Sequence, residues 1–224
     1  MHLSIRITLA LGAVSVAISS TPASPWGNDG HRTIGMVADL LLQNAPASRD
    51  AVSQILGGIS LSEASVFADC AKGWRAFQRP LSADEQDYVQ RNPQHRSFHY
   101  TDVAIQRRQY QLGTAGIRGD DVVQIAKQSV NILRNRAPNQ GPAVLSKRQA
   151  LWVLAHMVGD IHQPLHVGAL YFDKDCEEPV DPNVVGAGLP GFGIGSTVVS
   201  TQVETISRCP TATVFTPDTG MRAP

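Results

Sequence analysis

The chain has no excess of charge of either sign: nineteen basic residues balance nineteen acidic ones over 224 residues. That balance excludes the strong positive field that carries non-specific nucleic-acid binding, so any nucleic-acid partner must be held by local chemistry. Cysteine is scarce. Cys70, Cys176 and Cys209 are spaced too widely for a zinc ribbon, and which two of them would pair cannot be read from sequence. No internal repeat occurs, and no apolar run reaches the roughly 20 residues that a membrane-spanning helix needs. Histidine disappears altogether after His166.

What is present suits one globular domain with a real core: 42% of residues are hydrophobic and 17% charged,. The first residues combine Arg6, an apolar run over 7–18 and a small-residue stretch, which is the layout of a secretory signal peptide. Cleavage is expected after Ala23, which assigns residues 1–23 to the signal and points to a secreted or periplasmic protein. In such an oxidising compartment Cys70 and Cys176 could close a bridge, with Cys209 left over. Residues 24–185 are expected to form the domain. Residues 186–224, rich in Gly, Pro, Ser and Thr, are expected to be an irregular tail that buries little,.

Helical spacing dominates the domain. Ile34, Val37, Ala38 and Leu41 predict a first helix over 30–45, capped by the preceding "NDG", and "SRDAVSQIL" predicts a second with Ser48 as its cap,. A third is expected over 60–77, carrying Asp69. The polar stretch 79–97, interrupted by prolines, reads as a surface loop that leaves His95 in solvent, and "FHYTDV" as an extended segment. Val122, Ile125, Ala126, Val130 and Leu133 predict a helix over 120–135, and Ser146 caps another that runs through "LSKRQALWVLAHMVGDIH",. The expectation is a mainly α protein with no convincing sheet. Trp74 and Trp152 are expected in the core, and Arg107 and Arg108 read as a solvated face.

One stretch breaks the pattern. "LAHMVGDIHQPLHVG" places three histidines and an aspartate within eleven residues of an otherwise apolar helix. His156 and Asp160 are four apart, so a helix projects both from one face. Pro164 turns the chain, which can return His166 to the same pocket, whereas His162 is off this register and is expected to support a ligand from outside. His31, Asp69 and His99 add the same chemistry upstream. Imidazole nitrogens and carboxylate oxygens suit zinc, and a mixed set can leave positions open for water or phosphate.

In chain order, "WGNDGHR", "FAD" ending at Asp69, "FHYTDV" and "HMVGDIHQPLHVG" resemble the successive signatures of the S1/P1 nucleases, secreted zinc enzymes that cleave single-stranded DNA and RNA. The resemblance covers residues 26–168. It implies a mainly helical, phospholipase C/P1 nuclease-like fold and three zinc ions. Asp69, His99, His156 and Asp160 would hold the first; Trp26, His31 and a shared Asp160 the third; and His166 the second. Asp69 and Asp160 would also serve the reaction, a metal-assisted phosphodiester hydrolysis that leaves 5′ phosphates. Single-stranded nucleic acid would be the partner, with no membrane and with the chain as a monomer.

Two departures stand against the family pattern. A later His and Asp that would complete the second zinc site do not follow His166, so the fold is expected to be incomplete at its C-terminus; Asp173, Asp175 or Asp181 could approach that zinc as makeshift ligands, although their spacing matches no ligand pattern. Ser24 and Pro25 would also precede Trp26 after the expected cleavage, which denies zinc a free amino group. Two other readings follow: an inactive zinc-binding remnant of the family, and a zinc phospholipase C-like phosphodiesterase, against which the wording "GDIHQPLH" favours the nuclease.

Overall fold

In this computed structural model, residues 27–73, 80–136, 140–172 and 180–184 are described. The expected signal segment, Trp26, Trp74, Cys176 and the whole of the expected tail lie outside them. The architecture is mainly helical. It is organised around α7 (Lys147–Ile161), which packs against α1 (Asn28–Leu42), α2 (Pro46–Leu56), α3 (Leu61–Ala64), α4 (Phe67–Ala71), α6 (Val122–Leu133) and α8 (Pro164–Val167).

α7 is central because its sequence is apolar nearly all round, which only a buried helix tolerates. Ala150, Leu151, Trp152, Val153 and Met157 are all buried. Its start is fixed as expected: Ser146 Oγ accepts from the Gln149 amide while Gln149 Oε1 accepts from the Ser146 amide at 2.8 Å, a reciprocal cap. Trp152 joins the core as expected, its ring 4.4 Å from that of Phe67. α6 lies along α7 and is capped by Asp121.

On the other flank, α1 and α3 approach closely at Gly35, where a Cβ would stand 2.4 Å from the Leu61 carbonyl oxygen. Asp39 of α1 caps α3 from a distance, accepting from the amides of Leu61 at 3.0 Å and Ser62 at 3.1 Å.

Several local expectations are corrected. The stretch expected to be loop contains α5 (Ala83–Arg91), which starts at a reciprocal cap between Ser82 and Glu85 and buries Tyr88. Its net polarity masks one apolar face. His95 is buried rather than solvated: it begins a short 3-10 helix (His95–His99) and stands edge-on to Tyr88. The single helix expected over 60–77 is broken at Ser65 and Val66 into α3 and α4. The expected caps of the first two helices are replaced by Gly27 and Ala45, neither making a side-chain cap bond. The extended segment after His99 is only β1 (Val103–Ala104), which pairs in parallel with β2 (Gly168–Ala169), Val103 opposite Gly168. Small as it is, this pairing holds the segment after His99 beside the segment after His166. Arg107 is not purely solvated, since its Nε meets Asp181 Oδ2 at 3.1 Å.

Asp39→Ala removes the two bonds that α1 contributes to the start of α3, beside the Ser60–Glu63 cap of α3 itself, and is expected to cost about 1–2 kcal/mol,. The urea midpoint should fall with an unchanged slope. An unmoved midpoint would disprove the cap.

Candidate metal centre

Five segments deliver six polar side chains to one interior point. α1 supplies His31, α4 supplies Asp69, the 3-10 helix supplies His99, α7 supplies His156 and Asp160, and α8 supplies His166. All six are at most 5% exposed. The i, i+4 spacing on α7 acts as the sequence implies: His156 Nε2 lies 3.2 Å from Asp160 Oδ2. Pro164 at the first position of α8 turns the chain, and His166 Nε2 comes to 3.8 Å from Asp160 Oδ1.

Four donors form a compact set. His99 Nδ1 is 3.1 Å from both His156 Nε2 and Asp160 Oδ2, while Asp69 Oδ1 is 3.6 Å from His156 Nε2 and 3.9 Å from His99 Nδ1. A tetrahedral ion with ligands at 2.0–2.2 Å sets its donors about 3.3–3.6 Å apart; the observed separations, from 3.1 to 3.9 Å, lie around that span, so shifts of a few tenths of an ångström would bring the donors onto such a polyhedron. Asp160 bridges to a second group, its Oδ1 standing 3.4 Å from His31 Nε2. Asp69 Oδ2 is 4.0 Å from the same nitrogen. Asp160 Oδ1 is buried without a hydrogen-bond donor among the described residues. A bare carboxylate oxygen is costly in an apolar interior unless a cation meets it, so the residues present fit a divalent metal.

Outer contacts aim two of the rings. A carbonyl only accepts, so His156 Nδ1–H donates to Ser65 O at 2.7 Å and His166 Nδ1–H donates to His99 O at 2.9 Å. Both rings therefore turn Nε2 inward, the atom a metal would take in place of any proton it carries, as outer-partner fixation of ligating histidines requires. His162, expected in that supporting role, is instead exposed and meets the Val158 carbonyl of its own helix. The end of α7 points it away from the cluster.

The charges compensate one another. Burial would raise the Asp69 carboxyl, but His156, Lys72 and His99 outweigh it and hold it at about 2. Asp160 is likewise held well below the ordinary carboxylate range: its own burial opposes ionisation, and His156 is the strongest influence overcoming it. Burial lowers His31 to about 4 and His99 to about 3. His156 is raised because Asp160 and Asp69 overcome its burial.

Two residues escaped the sequence reading. Lys72 stands one helical turn after Asp69 and places Nζ 2.8 Å from Asp69 Oδ1. Its spacing was the available signal. Asp102, three residues beyond His99, is buried and pushed up to about 7, chiefly by desolvation, so it can carry a proton at neutral pH. Only burial distinguishes it from an ordinary surface acid.

In the metal-free protein, folding stability should peak near pH 6.5. Below that pH the unfolded chain protonates His31 and His99 while the folded chain resists until about 4 and about 3, so stability falls on acidification. Above it, the raised His156 surrenders the advantage of its folded-state proton, so stability falls again. Urea midpoints of chelated protein between pH 5 and pH 8 check this, and a monotonic profile would contradict it.

The S1/P1 Nuclease family model matches residues 26–176, more than half of the chain. No curated protein matches it. The matched segment contains every residue that meets at the buried cluster, together with Trp26 and Lys72, and so the chain belongs to the S1/P1 nuclease family.

Proposed function

We propose that this nuclease is a secreted or periplasmic zinc-dependent endonuclease that hydrolyses phosphodiester bonds of single-stranded DNA and RNA to 5′-phosphate products, acting as a monomer without a membrane. The observation that carries this reading is the set of four donors from Asp69, His99, His156 and Asp160 at near-tetrahedral separations. Zinc bound there supplies Lewis acidity, which activates water near neutral pH and neutralises charge on a phosphoryl oxygen.

The chain's own residues do the rest. Asp69 and Asp160 stay ionised and can hold cations, and Asp160 shares its two oxygens between the first set and His31, where Trp26 would complete a third position. Lys72 supplies a fixed positive charge beside the cluster. It acts electrostatically on His99, His156 and His166, so it is placed to draw in an anionic phosphate and to stabilise charge that builds during cleavage. The neutral surface charge fits a substrate held at this site rather than by a long-range field,.

A second reading, an inactive zinc-binding remnant, is favoured by one observation. The acid that His166 meets is Asp160, while Asp181 is taken up by Arg107 and Asn183. Among the described residues the second zinc position then lacks its full donor set, and with that set incomplete activity would be impaired.

Elemental analysis and cleavage of single-stranded DNA, before and after chelation, separate the two readings. Cleavage that chelation abolishes and zinc restores supports the endonuclease, whereas bound zinc without cleavage supports the remnant. His156→Ala should lower zinc content and activity together; unchanged zinc stoichiometry would remove His156 from the ligand set. Lys72→Ala should lower kcat/KM by about 10²-fold with zinc content retained.

A further inference from the structure

We infer that Gly159 is a positioning residue: with His156 it forms a slot one imidazole thick on α7, which holds the His31 ring of α1 so that its Nε2 faces Asp160. This rests on the reading of the cluster as a metal centre. One wall of the slot is the His156 ring, stacked on His31 with centroids 3.8 Å apart and planes 17° apart. The other is the bare Cα of Gly159. A Cβ there would lie 2.7 Å from His31 Nδ1, 3.0 Å from His31 Cε1 and 3.3 Å from Ile34 Cδ1. Unstrained contacts need roughly 3.5 Å, and the His156 ring stacked on His31 limits how far the ring can shift.

Backbone conformation does not explain this glycine. Gly159 lies within α7, where alanine is the better helix former, so a glycine here weakens the helix unless close approach requires it. His31 has a particular need of such a wall. His156 and His166 are aimed by hydrogen bonds from their outer nitrogens to carbonyls. His31 Nδ1, by contrast, is buried with no hydrogen-bond partner among the described residues. Packing between the two walls therefore sets the angle of the ring, and with it the 3.4 Å separation of Nε2 from Asp160 Oδ1. Gly159 so acts through His31 alone, and not through the donors of His99 and His166, which lie on other segments.

The test compares Gly159→Ala, His31→Ala and the double variant in the full chain. By histidine-selective NMR of the metal-free protein, Gly159→Ala should shift the His31 and His156 ring signals and leave those of His166 and His95 in place. By elemental analysis it should lose zinc to the same extent as His31→Ala. In the His31→Ala background it should cause no further loss, and it should raise the urea midpoint because the helix preference then outweighs the remaining 3.3 Å approach to the flexible end of Ile34,. Should Gly159→Ala fail to fold, folding of the double variant supports the slot, and failure of both overturns it. An unmoved His31 signal, or an added zinc loss in the His31→Ala background, also overturns it. A wild-type chain that binds no zinc defeats the proposed function instead, and the NMR comparison then decides the role of Gly159.

Discussion

Mutual compensation of charge in a space closed to water is the constraint on which this structure depends. Asp69 and Asp160 are nearly inaccessible, and each would be expelled from such a site or protonated if its neighbours were removed,. They remain ionised because His156 and Lys72 face them. His31 and His99 stay neutral because burial penalises their charged forms. The result is a set of bare acceptors pointing inward, a condition that a divalent cation relieves.

α7 carries both the core and the site, and this double duty explains its composition. Trp152, Val153 and Met157 face apolar neighbours, while His156 and Asp160 lie on the face that meets α1, α4 and the 3-10 helix. The segments around it are locked by backbone and capping contacts rather than by long sheets. Asp39 ties α3 to α1, Gln149 reaches from α7 to Asp87 and the Asp84 carbonyl of α5, and Thr101 N donates to the His166 carbonyl beside the short parallel pair. Each tie fixes an element on which a cluster residue stands or packs, so positional accuracy at the cluster follows from short, local geometry.

Local pattern reading succeeded where period and capping agree, as in α6 and in α7 with its Ser146–Gln149 cap. It failed at α5, whose polar face and flanking prolines disguised a helix that buries Tyr88. It failed again at the break between α3 and α4, where the chain must bend for Asp69 to face inward. His95 proved buried and His162 exposed for the same reason: exposure depends on what packs against a residue, and neighbours in sequence do not reveal it.

Residue chemistry and order in the chain by themselves determined the mainly helical class and the grouping of His156, Asp160 and His166, while the full set of seven candidate ligands from Trp26 to His166 is what the resemblance of the motifs to the family implies. Helical period and side-chain hardness are local properties, so they are legible without coordinates. Only the tertiary structure decided that Asp160 divides its two oxygens between His99 with His156 and His31, that Lys72 neutralises Asp69, and that Asp102 is buried enough to hold a proton near pH 7. Those facts are distances and desolvation, and they exist only once segments far apart in the chain have closed over one point.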